Sequence, residues 1–204
     1  LYIGAEQFIN EVIEGIHGRT MPDLRRRYRS DVDLFIVDDV HFLEGKEADF
    51  ARWDREARQP DEFVQSLREL GLFGLIIPEE FGGLGLSNAA YARVLAQTSS
   101  YDSSVSLTIG AHSSIGMRGL LLFGTDEQKQ RFLPKLATGE MIAAFCLTEP
   151  GSGSDAASIK TNAELDGDTW VLNGNKLWLT TGGLAQFSTV FAKTGTGERG
   201  NVTA

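Results

Sequence analysis

Residues 141–155 constrain the fold of this chain more than any other segment. The apolar residues 141–147 predict a strand, and this strand leads into a glycine-rich turn with the sequence T-E-P-G-S-G-S-D at 148–155. Glycines leave backbone N–H groups uncovered, and a concave turn of such groups can hold an anion. The hydroxyls of Thr148 and Ser154 add two further donors. The segment therefore predicts a loop that can wrap a pyrophosphate.

A nicotinamide-binding fold is the first alternative, because residues 151–156 satisfy the pattern G-x-G-x-x-A. That pattern binds phosphates only where a strand leads directly into a helix. Residues 157–165 have no helical apolar period, and they are followed by Asp166-Gly167 and then by Asn173-Gly174, two strong hairpin signals. The sequence therefore predicts an antiparallel β-domain from residue 141 onward instead of a βαβ unit.

The preceding part of the chain has helical patterns. A helix is predicted to begin at residues 60–63 and to end at Gly71, and further helices are predicted over 87–101, 104–123 and 125–137. Thr125 and Gln128 have the spacing of a capping box. We therefore predict an α+β protein in which a helical domain at 48–140 precedes the β-domain at 141–204.

Four motifs together resemble the acyl-CoA dehydrogenase family. They are the glycine-rich turn above, the sequence K-L-W-L-T-T at 176–181, the segment L-F-G-L-I-I-P-E-E-F-G-G-L-G at 72–85 and the link at 124–140. Residues 145–149 and 182–185 are most similar to the very-long-chain branch of that family. The resemblance covers 48–204, and it places Trp178 on a second strand beside the first.

The resemblance implies that the chain takes part in α,β-dehydrogenation of a fatty acyl-CoA with FAD as cofactor. Thr148 and Thr180 would bond the flavin edge, Trp178 would pack beside the ring, and Ser154 would lie near the pyrophosphate and the substrate. The catalytic glutamate of the family lies in a C-terminal bundle that this sequence does not include, so we expect the isolated chain to be inactive. An electron-transfer flavoprotein as electron acceptor and a homo-oligomeric full-length protein are also implied. The cofactor-binding residues implied are Phe145, Cys146, Leu147, Thr148, Glu149, Gly151, Ser152, Gly153, Ser154, Trp178, Leu179 and Thr180.

The first 47 residues resemble a different family, the AAA+ domain of the bacterial replication initiator DnaA. An apolar strand at 32–37 delivers Asp38 and Asp39, the arrangement of a Walker B motif, and a short βαβ piece is predicted over 1–39. No G-x-x-x-x-G-K-[ST] sequence occurs in the 204 residues, so the phosphate cradle of such a site is missing. We expect a fusion or a mis-joined frame near 45–50. The alternatives to a dehydrogenase fragment are an ATP-binding initiator fragment and a chimeric fragment without function.

Composition excludes several other classes. The net charge of −9 and the single basic cluster at 25–29 argue against nucleic-acid binding, and no apolar run is long enough to span a membrane. The lone Cys146 excludes a disulfide framework and favours a reducing compartment, so we expect a cytoplasmic bacterial protein. The three histidines are too far apart in sequence to suggest a metal site, and His112 is expected to be a buried core residue.

Overall fold

The computed structural model describes residues 42–195 and 201–204. The chain divides into two compact units, Leu1–Arg52 and Trp53–Ala204. The βαβ piece predicted over 1–39, with Asp38 and Asp39, lies outside the described residues. The second unit contains every element discussed below except the start of the first helix.

Helices occupy the first part of the described chain and strands the second part. The helices are α1 (Glu47–Glu56), α2 (Asp61–Glu69), α3 (Asn88–Ser99), α4 (Ser103–Gly110), α5 (Arg118–Phe123) and α6 (Asp126–Ala137), with a π-helical segment at Ala111–Gly116 and 3-10 turns at Glu79–Phe81 and Ala156–Ser158. The strands are β1 (Ala143–Cys146), β2 (Asn162–Asp166), β3 (Thr169–Asn173), β4 (Phe187–Val190), β5 (Ala192–Thr194) and β6 (Asn201–Thr203). This order confirms the predicted α+β class.

Local signals set the helix ends as predicted. Helix α2 follows Pro60, and Gly71 adopts the left-handed conformation just after its end, with φ of +69°. Thr125 and Gln128 form both hydrogen bonds of the capping box at the start of α6, at 2.9 and 3.2 Å. These bonds satisfy two N–H groups that the first turn of a helix cannot pair internally.

The glycine-rich segment after α2 folds back on itself and completes the helical core. The amides of Leu84, Gly85 and Leu86 donate to the carbonyls of residues 74, 77 and 75. A Cβ on Gly83 would lie 2.1 Å from the Ile77 carbonyl oxygen, so this close crossing requires glycine. The largest fully buried side chains of the helical part are Leu67, Phe73, Ile77, Val105, Ile109, His112, Met117, Leu133 and Leu136.

The strands form two sheets, and their pairing corrects one prediction. β1 pairs with β4 in parallel, and the second sheet has the order β3-β2-β5-β6, in which β2 and β5 are also parallel. The two remaining pairs, β2 with β3 and β5 with β6, are antiparallel. The predicted antiparallel pairing therefore holds for these two pairs but not for β1 with β4 or β2 with β5, because hairpin signals report only on strands adjacent in sequence.

Of the two predicted hairpin turns, the structure forms one. Gly167 and Asp168 connect β2 and β3 as a two-residue turn, with φ of +61° at Gly167. Asn173-Gly174 does not form a hairpin, because no strand follows it directly. A Cβ on Gly174 would lie 2.1 Å from Thr161 Oγ1, so this glycine allows close approach of two backbones. The strand expected over 176–181 is also absent; those residues form an irregular segment followed by a turn.

Candidate functional site

The two segments that carry the predicted site meet in the structure. The first, residues 145–154, is the end of β1 and its glycine-rich turn, and the second is residues 176–181. The Leu177 amide donates to the Thr148 carbonyl at 2.8 Å, and Lys176 Nζ donates to the Leu147 carbonyl at 3.0 Å. Residues almost thirty positions apart are therefore direct neighbours, which local sequence patterns could not establish.

Trp178 presents its ring to the outside. Its side chain is 85% exposed, and its φ of +58° lies in the left-handed region. Such a conformation costs a non-glycine residue roughly 1–2 kcal/mol, so the surrounding contacts must maintain it. Thr181 has φ of +65° and is anchored by a 2.8 Å hydrogen bond from its hydroxyl to the Ala143 carbonyl in β1. The segment is therefore held in an unusual conformation that displays a flat aromatic surface.

The glycine-rich turn leaves its backbone accessible. The Glu149 amide donates to the Ser152 carbonyl at 2.8 Å, and the Ser152 amide donates back at 3.1 Å, which closes a tight turn. Ser152 is buried and its hydroxyl donates to the Asp155 carbonyl, whereas Ser154 is exposed. A Cβ at Gly151 or Gly153 would meet nothing within 4 Å. The turn is therefore a bare backbone surface with the Ser154 side chain beside it.

Burial differs among the residues that lead from β1 into the turn. Cys146 is 6% exposed, and burial raises the pKa of its thiol. Phe145 is partly exposed and packs edge-on against Phe191, with ring centroids 4.9 Å apart. Leu147 and Thr148 are also partly exposed. The structure therefore turns the Cys146 side chain away from solvent, and the Cys146 carbonyl accepts from the Phe191 amide at 3.1 Å.

Glu149 is another predicted site residue whose side chain is buried. It is 6% exposed, and its carboxylate accepts from the Lys160 amide at 2.5 Å, the Thr161 amide at 2.9 Å and Lys176 Nζ at 2.8 Å. Burial alone would raise the pKa of Glu149, but the hydrogen bonds from Lys176, Thr161 and Lys160 outweigh it and lower the pKa to about 2. This carboxylate is therefore ionised and cannot accept a proton near neutral pH.

Lys160, Thr161 and Lys176 were not among the predicted site residues. Lys160 and Thr161 line an open cavity of about 240 Å³ beside the glycine-rich turn, together with Glu149 and Gly174, and Lys176 Nζ donates to the Glu149 carboxylate at 2.8 Å. Lys176 begins the K-L-W-L-T-T motif, so its position was visible in the sequence, but its pairing with Glu149 was not. Lys160 and Thr161 contribute backbone amides, and no residue type signals that role.

His112 confirms the prediction of a buried core histidine. It is fully buried, its Nδ1 accepts from the Ala143 amide at 3.0 Å, and its Nε2 is 3.1 Å from the Leu136 carbonyl. Burial lowers the pKa of His112 from 6.5 to about 4, so the ring is neutral and Nε2 carries its proton. The ring therefore links α6 to β1 inside the core.

Metal clusters and membrane-spanning helices are both absent from residues 42–195 and 201–204, the part of the chain that the structure describes. Within it, no cluster of three or more His, Cys, Asp and Glu side chains could hold a metal ion. None of its helices is long and apolar enough to cross a membrane.

A helical domain followed by a small β-domain, with a glycine-rich turn facing an exposed aromatic, defines a class of cofactor-binding enzyme domains. The family "Acyl-CoA dehydrogenase, N-terminal domain" matches residues 40–140, and "Acyl-CoA dehydrogenase, middle domain" matches residues 144–204. Residues 40–204 of this chain belong to the acyl-CoA dehydrogenase family. A third family, "Bacterial DnaA ATPAse domain", matches residues 1–52, which bears out the second resemblance.

Individual relatives agree with this assignment. The very long-chain specific acyl-CoA dehydrogenase of Bos taurus mitochondria is 54% identical over 148 residues, which are 72% of this chain and 23% of that protein. An acyl-CoA dehydrogenase complexed with FAD from Bacillus anthracis superimposes with a TM-score of 0.66 at 40% identity, over 76% of this chain and 26% of that one. The electron transferring flavoprotein structure of Acidaminococcus fermentans contains a chain that matches with a TM-score of 0.69 at 33% identity, over 80% of this chain and 46% of that chain.

The match covers a minor part of the relatives. This chain spans about a quarter of the length of the curated relatives that it matches. The activity, substrates and partners of a complete protein are therefore a matter of proposal.

Proposed function

We propose that this chain is part of an FAD-dependent acyl-CoA dehydrogenase, and that it supplies one wall of the flavin site. The observation that carries the proposal is the 2.8 Å hydrogen bond from the Leu177 amide to the Thr148 carbonyl. It sets the glycine-rich turn beside Trp178, the residue that displays the largest exposed aromatic surface in this region. The family match and the relative that is complexed with FAD support the same function.

The residues present fit FAD. Gly151 and Gly153 leave a backbone surface that no side chain covers, as a pyrophosphate requires for close approach. Ser154 is exposed beside that surface, and the 85% exposed Trp178 offers a flat face to an isoalloxazine ring. A cofactor of this shape would therefore cover groups that are otherwise left in water.

Each residue has a separate role in the proposal. The backbone of Phe145, Cys146, Leu147, Glu149 and Ser152 would shape the wall, while Thr148 and Thr180 would bond the polar edge of the flavin. Ser154 would bind the pyrophosphate and lie near the acyl thioester, and Leu179 and Trp178 would exclude water from the ring. FAD supplies the hydride acceptor for dehydrogenation between the α and β carbons of a fatty acyl-CoA.

The catalytic base does not come from Glu149 in this proposal. Hydrogen bonds hold the Glu149 carboxylate ionised, with a pKa of about 2, and its lone pairs already accept three donors. We therefore expect no oxidation of palmitoyl-CoA by the 204-residue chain with added FAD and a dye acceptor. Loss of a positioned general base usually slows such a step by about 10²–10⁴-fold. Steady dye reduction by the purified chain would contradict this expectation.

Binding of FAD tests the proposal directly. Titration of FAD into the chain should quench flavin and tryptophan fluorescence with saturable binding. Trp178→Ala should weaken binding, since stacking of a nucleic-acid base on an aromatic side chain, a similar contact, contributes roughly 1–3 kcal/mol. Trp170→Ala is the matched control, because Trp170 is also exposed, at 54%, but lies on β3. Equal affinity of both variants and the unaltered chain, or no binding by the unaltered chain, would refute the proposal.

The partners follow from the same assignment. Fatty acyl-CoA would be the substrate and an electron-transfer flavoprotein the electron acceptor, which the structural match to the Acidaminococcus fermentans flavoprotein supports. We also propose that the full-length protein forms a homo-oligomer. A bacterial cytoplasmic location is proposed because residues 1–52 match a bacterial family.

A second candidate function rests on that same match to the DnaA ATPase domain. Asp38 and Asp39 would serve as the Walker B acids of an ATP site, although the sequence contains no P-loop. Calorimetric titration with Mg-ATP distinguishes the candidates, because only an ATPase fragment would bind it and lose binding in Asp39→Asn. We expect no binding, since residues 1–52 contain no P-loop sequence that could cradle the phosphates of ATP.

A further inference from the structure

We propose that the buried ion pair between Glu149 and Lys176 is a clamp that positions Thr148 against Trp178 and so determines how tightly the site holds FAD. The inference rests on the proposed function, which it deepens by assigning positioning roles to the side chains of Glu149 and Lys176, whose hydrogen bonds are made to other groups of the protein. The clamp is defined as the Glu149 carboxylate, Lys176 Nζ and the backbone groups that they bind.

The Glu149 half of the clamp fixes the turn to the start of β2. Oε1 accepts from the Thr161 amide at 2.9 Å, and Oε2 accepts from the Lys160 amide at 2.5 Å. Each oxygen therefore accepts a hydrogen bond from a backbone amide that donates to no backbone carbonyl of the described residues. The turn cannot swing outward unless these two amides lose their acceptor, which is costly above all for the buried Thr161 amide.

The Lys176 half of the clamp connects the two segments of the site. Lys176 Nζ donates to Glu149 Oε1 at 2.8 Å and to the Leu147 carbonyl at 3.0 Å. The next amide along the chain, that of Leu177, donates to the Thr148 carbonyl at 2.8 Å. Three successive residues of the first segment are thus bound by two successive residues of the second, and Trp178 follows immediately.

Burial distinguishes this pair from an ordinary surface contact. The side chains of Lys176 and Glu149 are 10% and 5% exposed, whereas Lys135 and Glu140 form a longer pair, at 3.4 Å, with 47% and 64% exposure. Removing one partner of a buried pair leaves an uncompensated charge, whereas exposed pairs contribute little. The Leu147 carbonyl and the Thr148 carbonyl bound by Leu177 belong to the segments of the proposed site, so the disturbance should appear in cofactor affinity.

The experiment compares Glu149→Gln, Lys176→Met and the double variant in the 204-residue chain. FAD affinity is measured by fluorescence titration, and the bound flavin is characterised by visible circular dichroism. Hydrogen exchange of the Lys160, Thr161 and Leu177 amides is measured without FAD. Thr125→Ala is the control, because it removes the capping box at the start of α6 and so lowers stability without removing any group of the clamp.

We expect each single variant to weaken FAD binding by about tenfold or more, as leaving a buried partner unsatisfied implies. The FAD affinity of the double variant should be at most about threefold lower than that of the weaker-binding single variant, because the two residues act as one unit. The circular dichroism of any bound flavin should change, and the three amides should exchange faster. Thr125→Ala should keep its affinity within about twofold despite a lower Tm.

Unchanged affinity in both single variants, or an equal loss in Thr125→Ala, would overturn the clamp. If the unaltered chain binds no FAD, the proposed function fails instead. In that case the hydrogen exchange of the three amides still decides whether Glu149 and Lys176 hold the turn, since unchanged exchange in the variants would refute it.

Discussion

The buried histidine gives a pH dependence whose size follows from the structure. His112 has a pKa of about 4 when folded, against 6.5 when exposed, because burial opposes its charged form. The neutral ring is also the form that the core requires, since Nδ1 accepts from the Ala143 amide. The folded pKa is depressed, so the stability that depends on neutral His112 is fully present above pH 6.5 and is lost as the pH falls towards 4. Linkage gives a loss of about 2 kcal/mol between pH 7.5 and pH 5.

Urea unfolding followed by circular dichroism measures this loss. His112→Gln is the comparison, because glutamine does not titrate and can satisfy only one of the two backbone partners of the ring. We expect the variant to be less stable than the unaltered chain by about 1–3 kcal/mol at pH 7.5. That difference should shrink by about 2 kcal/mol at pH 5, while the other histidines cancel because both proteins contain them. Parallel pH profiles for the two proteins would refute the assignment of a neutral buried ring.

Three further predictions concern a glycine, an acid and the first segment. Gly174→Ala should destabilise the chain by about 1–3 kcal/mol or more in urea unfolding, because its Cβ would lie 2.1 Å from Thr161 Oγ1. Gly183→Ala is the control: its Cβ would meet no atom within 4 Å, so it should change stability by less than about 0.5 kcal/mol. The depressed pKa of Glu149, about 2, predicts a second loss of stability as the pH falls from 4.5 towards 2. If the free energy of unfolding of Glu149→Gln has the same pH dependence in this range as that of the unaltered chain, the prediction is wrong. Asp39→Asn should leave unfolding and FAD binding unchanged, within about 0.5 kcal/mol, and a calorimetric signal for Mg-ATP that this variant loses would disprove the prediction.

Local signals in the sequence were sufficient to predict much of the helical part and one hairpin turn of the β-domain. The capping box at Thr125, the left-handed glycine at Gly71 and the turn at Gly167 each depend on a few neighbouring residues, and the structure confirms all three. Strand pairing depends on residues that are far apart in the chain. The parallel pairing of β1 with β4, across some forty residues, has no local signature, and the hairpin signals therefore suggested too simple a β-domain.

The same difference separates what the sequence predicted of the site from what it missed. Motif resemblance identified the turn and the aromatic segment, but it could not show that Trp178 is left-handed or that the Glu149 carboxylate faces inward. Both features arise from contacts between segments. The turn places Glu149 within reach of amides eleven and twelve residues later, and Lys176 Nζ donates to the same oxygen, Oε1, as the Thr161 amide.

These contacts explain why a costly arrangement is retained at this position. A buried ion pair is weak evidence for stability, because well-packed apolar residues often stabilise a core equally well. Two left-handed non-glycine residues, Trp178 and Thr181, add strain to the same segment. Apolar replacements could not accept hydrogen bonds from the Lys160 and Thr161 amides or donate one to the Leu147 carbonyl. They would therefore leave the turn free to move relative to the aromatic ring. The pair therefore contributes position more than stability. A variant that replaces both members with methionine should consequently lose FAD affinity even where its unfolding midpoint remains close to that of the unaltered chain.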